Sequence, residues 1–192
     1  MLPSLIGIIA SSGGAAVSAT SYESIATATV GAGGASSVTL SSIPSTYTHL
    51  QVRLIGRNSN TGGNAARNAA FRLNSDTGSN YTLHYVAGDG STAFTDANTA
   101  FNQPYIYALP DDNTTANTFG VAIIDILDYA NTNKYKTIRS LSGSDVNGSG
   151  TVRLNSSVWM STSAMNSITF FTYNGVGNFV QGTSFALYGL KG

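Results

Sequence analysis

The chain contains no cysteine, which excludes a disulfide framework, a thiolate metal centre and a cysteine nucleophile. Stability must come from a packed core or from partner copies, and the absence fits folding in a reducing compartment. Charge is equally scarce. The 192 residues carry nine Lys and Arg and nine Asp and Glu, for a formal net charge of zero and a pI near 6.7. The basic residues fall singly along the chain, so there is no electrostatic footprint for nucleic acid or an anionic membrane. Nothing repels neighbouring copies either. Glu23 is the only glutamate, which speaks against the two facing carboxylates of a glycosidase. Long hydrophobic runs are also missing. Leu2 to Ala10 is apolar but about half the ~20 residues needed to span a bilayer, and it lacks the basic leader of a secretory signal.

What is present is apolar and aromatic mass in a neutral polar matrix. Apolar residues make up 42% of the chain, with eight Phe, ten Tyr and one Trp, which argues against disorder. One domain is the default at this length, and such a chain buries roughly 70% of its unfolded surface. Residues 1–20 read as an apolar arm and a Ser/Gly/Ala tether, and residues 21–192 as the domain.

From Tyr22 onward short β-like runs alternate with Gly, Asn, Asp and Ser, and no helical period persists. Strands are expected at 22–30, 37–40, 48–56, 69–73, 81–86, 104–107, 119–128, 135–141, 151–160, 167–173 and 184–190. Alternation assigns faces: Leu50, Val52 and Leu54 oppose His49, Gln51 and Arg53, and Phe185 and Leu187 oppose Ser184, Ala186 and Tyr188. The stretch Val121 to Leu127 is almost continuously apolar, as in a central strand covered on both faces or a strand in a subunit contact. Asn147-Gly148 and Asn174-Gly175 are hairpin-turn chemistry. Residues 58–68, 91–103 and 111–117 read as polar loops at the ends of the fold. The expected fold is all-β, a single antiparallel β-sandwich of jelly-roll type with an extended amino-terminal arm.

No constellation forces a catalytic reading. His49 and His84 sit in strands, with no Gly-x-Ser-x-Gly elbow in the chain to accompany them. Asp145-Val-Asn-Gly-Ser-Gly150 starts like a calcium loop, but position twelve is Ser156; an Asn-Gly turn accounts for it. Asp111 and Asp112 are neighbours on a Pro-led loop and read as a solvated turn. Tyr81, Tyr85, Tyr105, Tyr107, Tyr129, Trp159 and Tyr173 could include an aromatic platform for sugars, although most aromatics in a sandwich fill its core. No catalytic residue, metal site or cofactor is expected.

The segments Ser21-Tyr-Glu-Ser-Ile-Ala-Thr27, Ser42-Ile-Pro-Ser-Thr-Tyr-Thr-His-Leu-Gln51, Phe71-Arg-Leu-Asn-Ser-Asp-Thr-Gly-Ser-Asn-Tyr81, Ile124-Asp-Ile-Leu-Asp-Tyr-Ala130, Tyr135-Lys-Thr-Ile-Arg139 and Phe185-Ala-Leu-Tyr-Gly-Leu190 together resemble a family of β-sandwich virion proteins of tailed bacteriophages, including phages of cyanobacteria. The resemblance runs from about Tyr22 to the carboxyl terminus and brings no catalytic residues with it. It implies a non-enzymatic virion component assembled in the host cytoplasm, either a capsid cement (decoration) protein or a tail-fibre or baseplate module. The implied partners are the major capsid protein, sibling copies in a homotrimer and, for the tail reading, a host surface glycan. Leu2, Leu5, Ile6, Ile8 and Ile9 are the expected contact residues, followed by Ile124, Ile126 and Leu127.

Overall fold

In the computed structural model the described residues are 21–62 and 66–191. They form twelve strands: β1 Tyr22–Thr29, β2 Ser37–Leu40, β3 His49–Gly56, β4 Ala66–Leu73, β5 Tyr81–Gly88, β6 Ala93–Phe101, β7 Tyr105–Pro110, β8 Gly120–Leu127, β9 Lys136–Asp145, β10 Gly150–Trp159, β11 Ile168–Thr172 and β12 Ser184–Leu190. One short 3-10 turn, Tyr173–Gly175, follows β11, and no α-helix occurs among the described residues. No helix there is long and apolar enough to cross a membrane.

Two antiparallel sheets pack face to face. The large sheet has eight strands in the order β1-β12-β3-β8-β9-β10-β5-β6, and the small one has four, β2-β11-β4-β7. The chain changes sheet at every connection except β5–β6, β8–β9 and β9–β10, which are hairpins within the large sheet. The expected sandwich is therefore present.

The two sheets enclose the core where they overlap. Leu50, Val52 and Leu54 of β3, Ala122, Ile124 and Ile126 of β8, and Phe185 and Leu187 of β12 face Ala69, Phe71 and Leu73 of β4 and Phe170 of β11, all at most 2% exposed. Phe170 stacks on Phe185 at 4.8 Å, and Phe179 meets Phe185 edge-on at 5.2 Å. Each such Leu, Ile, Val or Phe side chain contributes about 1.5–3 kcal/mol through burial. Trp159 stacks on Tyr81 and donates its indole N–H to Asp76 at 2.7 Å. Burial tends to raise the Asp76 carboxyl, but hydrogen bonds from Trp159, Asn80 and the Gly78 N–H outweigh it and hold the group below its usual range.

Three readings of the sequence change. Residues 91–103 are not a loop: most of them form β6, the edge strand. Its burial pattern shows no buried residue, and Phe101 at its end packs against the core, so no alternation announced it. Asp111 is not solvated but fully buried, 3.6 Å from Arg67 Nε. Its neighbour Asp112 accepts from Arg57 at 3.2 Å, and the same guanidinium donates to the carbonyls of Thr114, Thr115 and Thr118, so the loop is ordered by one buried arginine. Finally, β8 is covered on one face only: Val121 and Ile123 point outward, 54% and 43% exposed.

Candidate functional site

Beyond the overlap, the large sheet changes character. On β9 the inward side chains run Lys136, Ile138, Ser140, Ser142, Ser144, and on β10 they run Arg153, Asn155, Ser157, Trp159, all buried. The outward residues of the same strands include Leu141, Val152 and Leu154, between 46% and 62% exposed. The usual amphipathic pattern is inverted here, with polar groups enclosed and branched aliphatics facing out. Two candidate surfaces result, one on each side of the sheet.

The inner one is a cleft of about 430 Å³ where β10 and β5 pass the edge strand β7 of the small sheet. Arg67, Asn68, Tyr85, Tyr105, Tyr107 and Arg153 line it, with Tyr173, Asn174 and Val176 from the turn after β11. Arg153 is 6% exposed. Its guanidinium lies 3.9 Å from the centre of the Tyr85 ring, 4.9 Å from Tyr107 and 5.8 Å from Tyr105, an arrangement of cation–π contacts. Its Nε and Nη1 have no hydrogen-bond partner among the described residues. Arg67, by contrast, lies against the Asp111 carboxylate.

Acceptors sit beside these cations. The side-chain oxygens of Asn68 and Asn155 are buried and unpartnered among the described residues, while the Asn155 amide donates to the Tyr105 carbonyl at 2.8 Å. Tyr105 and Tyr173 rings meet at 4.9 Å, and burial pushes the Tyr105 hydroxyl above its ordinary range, so it stays a neutral donor. The rim is pre-set: Asn174 and Gly175 both take positive φ, as their Asn-Gly chemistry predicts. Gln103 donates to Asn174 at 2.6 Å, and Asn58 donates to the Val176 carbonyl at 3.0 Å. Of the seven aromatics considered for a sugar platform, Tyr85, Tyr105, Tyr107 and Tyr173 converge here, whereas Tyr81, Tyr129 and Trp159 fill the core. Arg153 and Arg67 were not singled out by sequence reasoning. The polar alternation Arg153, Asn155, Ser157 was visible, but it reads as a wetted face.

The outer surface is an apolar patch. Cross-strand register sets Ile55 beside Val121 and, across Gly143, Val152 in one row. A second row runs Ile123, Leu141, Leu154, Val86. These seven aliphatics are 43% to 62% exposed. Ile123, Leu141 and Leu154 line a groove of about 340 Å³ that ends at Asp125 and Arg139, an exposed ion pair at 3.3 Å.

Of the contact residues expected from sequence, Ile124 and Ile126 are corrected. Both are 0% exposed and point into the core, where no neighbouring molecule can touch them; their outward neighbours Val121 and Ile123 take that place. Leu127 is half-buried. Leu2, Leu5, Ile6, Ile8 and Ile9 lie outside the described residues. Asp145 to Gly150 is the β9–β10 turn, with Asn147 and Gly148 at positive φ and Asp145 accepting from the Asn147 N–H at 3.0 Å. Among the described residues no group of three or more His, Asp or Glu is placed to hold a metal ion. His49 and His84 stand on β3 and β5, with three strands between them.

Compared with family models, with curated proteins and with solved structures, the chain shows no match.

Proposed function

We propose that the chain is a non-enzymatic structural protein of a tailed-phage particle, a capsid cement (decoration) protein whose copies join through the outer face of the large sheet. The observation that carries this reading is the patch of seven exposed aliphatics in register across β3, β8, β9, β10 and β5. A contiguous apolar surface of this kind marks an interaction site more often than a solvated one. Sibling copies are the occupant it suits. The chain has no net charge to repel them, and the rim carries Arg53, Arg139 and Asp125, so a rotated copy can set cation against carboxylate. In this reading a homotrimer is the assembly, and Leu2, Leu5, Ile6, Ile8 and Ile9 contact the major capsid protein. The winding of β1-β12-β3-β8 over β2-β11-β4-β7 supports a jelly-roll description in which two inserted hairpins enlarge one sheet. The likeness of the sequence segments to phage virion proteins is the support for the particle itself.

Sedimentation of the full chain, with and without Ile123→Asp and Leu154→Asp, tests the reading. Oligomers that dissociate in the double variant, together with wild-type binding to empty capsids, are the expected result. A wild type that stays monomeric at the highest soluble concentration and ignores capsids overturns it.

The second reading is a tail-fibre or baseplate module that binds host surface glycan, and the convergence of Tyr85, Tyr105, Tyr107 and Tyr173 on one cleft favours it.

A further inference from the structure

The geometry points to the cleft between β10, β5 and β7 as a binding site for a carboxylate-bearing sugar, a uronic acid unit held with its acid group toward Arg153. The inference deepens the glycan reading and rests on it for the sugar; the charge selectivity is its own claim.

A buried cation is expensive unless paired or hydrogen-bonded. Lys136 illustrates the normal solution in this fold: it is buried and donates to the carbonyls of Asn131 and Lys134. Arg57 is satisfied in the same way. Arg153 is not. It is as buried as Arg57, yet Nε and Nη1 lack partners and no carboxylate pairs with it among the described residues. The stacked Tyr85 ring holds the guanidinium plane in place and offsets only part of that cost. An anion entering the cleft completes the pairing, and the bond to a charged partner is the strong kind.

The rest of the cleft narrows the class. Tyrosine rings present flat faces suited to the C–H side of a sugar ring. The unpartnered oxygen of Asn68 accepts from a hydroxyl, and the tyrosine hydroxyls add further donors. A bare inorganic anion leaves that acceptor unused, and a neutral sugar leaves Arg153 unpaired. The volume, about 430 Å³, falls within the roughly 300–1,000 Å³ of small-ligand sites.

Calorimetric titration of the full chain with an oligogalacturonate, its methyl ester, a neutral galactose oligomer and inorganic sulfate tests this directly. Saturable binding of the oligogalacturonate is expected, weakened roughly tenfold or more by esterification, as loss of a charge-assisted hydrogen bond requires. Arg153→Gln is expected to abolish the difference between acid and ester. The ester comparison leaves the protein untouched and so stands even if that variant fails to fold. Equal binding of ester, neutral oligomer and acid overturns the charge claim while leaving the glycan reading intact. Sulfate competing as well as the sugar overturns the sugar claim in favour of a generic anion site. No binding of any oligosaccharide sinks both.

Discussion

The large sheet is two different objects joined along β8 and β9. In the half formed by β1, β12, β3 and β8, the inner faces of β12, β3 and β8 are Leu, Val, Ile, Phe and Ala buried against the small sheet, with β1 half-buried at the edge. In the half formed by β9, β10, β5 and β6, apolar packing persists at one end through Tyr81, Leu83, Ile138 and Trp159, but toward the other end the inner face becomes Ser140, Ser142, Ser144, Arg153 and Asn155. The outer face does not divide in the same way: its exposed aliphatics straddle the junction, with Ile55, Val121 and Ile123 on the first half and Leu141, Val152, Leu154 and Val86 on the second. The inner face of the first half is a core that stabilises the chain by itself. The inner face of the second and the shared outer patch are arranged for something besides this chain, because enclosed polar groups and exposed apolar ones each cost stability that a partner or ligand recovers.

The sharpest way to break the contrast is to place the same charge on adjacent residues of β8. Ile124→Asp buries a carboxylate among Val52, Leu187 and their neighbours and is expected to cost more than about 4 kcal/mol, enough to unfold a marginal domain. Ile123→Asp, one residue away and outward, is expected to change stability by no more than about 0.5 kcal/mol. Urea unfolding of the two variants reads the difference, and similar losses would dissolve the distinction between faces.

Tyr81 probes the apolar end of the second half. Burial pushes its hydroxyl up to about 12, from an ordinary value near 10. The unfolded chain therefore gives up this proton first, so the contribution is constant below pH 10 and is lost as pH rises from 10 to 12. Linkage puts the loss at about 2–3 kcal/mol. Tyr81→Phe should show a shallower alkaline decline than wild type. Below pH 10 it should be less stable by about 1 kcal/mol, because the bond from the Leu73 N–H goes with the hydroxyl. Parallel alkaline profiles would count against a buried phenol.

A smaller effect sharpens the picture of the first half. A Cβ at Gly189 on β12 would lie 2.3 Å from the Tyr47 ring, whose hydroxyl donates to Glu23 at 2.9 Å. Gly189→Ala forces that ring off the strand and is expected to cost about 1–3 kcal/mol as overpacking, read as a lowered thermal midpoint. Smallest of all, adding calcium or a chelator should leave that midpoint unchanged, since the Asp145 carboxylate is engaged by the Asn147 N–H in a hairpin turn. A rise with calcium would restore the cation loop at 145–150.

Much of the architecture was legible in the sequence. Leu50, Val52 and Leu54 announced one buried face, Phe185 and Leu187 another, and Asn-Gly pairs marked two turns; each lies where the pattern put it. β6 was invisible because an edge strand with no buried residue is held mainly by backbone pairing, and its Ala, Asn and Asp are residues that strands ordinarily disfavour. The site was half legible. The tyrosines were noticed, but nothing local separates Tyr85 and Tyr107 from Tyr81 and Tyr129, and Arg153 reads as one more strand arginine.

What the chain order determined by itself is periodicity: which side chains share a face follows from the two-residue repeat of a pleated strand, and this holds whatever surrounds it. Which of the two faces turns inward is not a local property. On β8 the rule of apolar inside chose between Ile124 and Ile123 only once the small sheet was in place. On β10 the outcome ran against that rule, with Arg153 enclosed and Leu154 in solvent. The pairing of strands from distant parts of the chain made that choice, because burial is decided by what lies across the sheet and not by what lies along the strand.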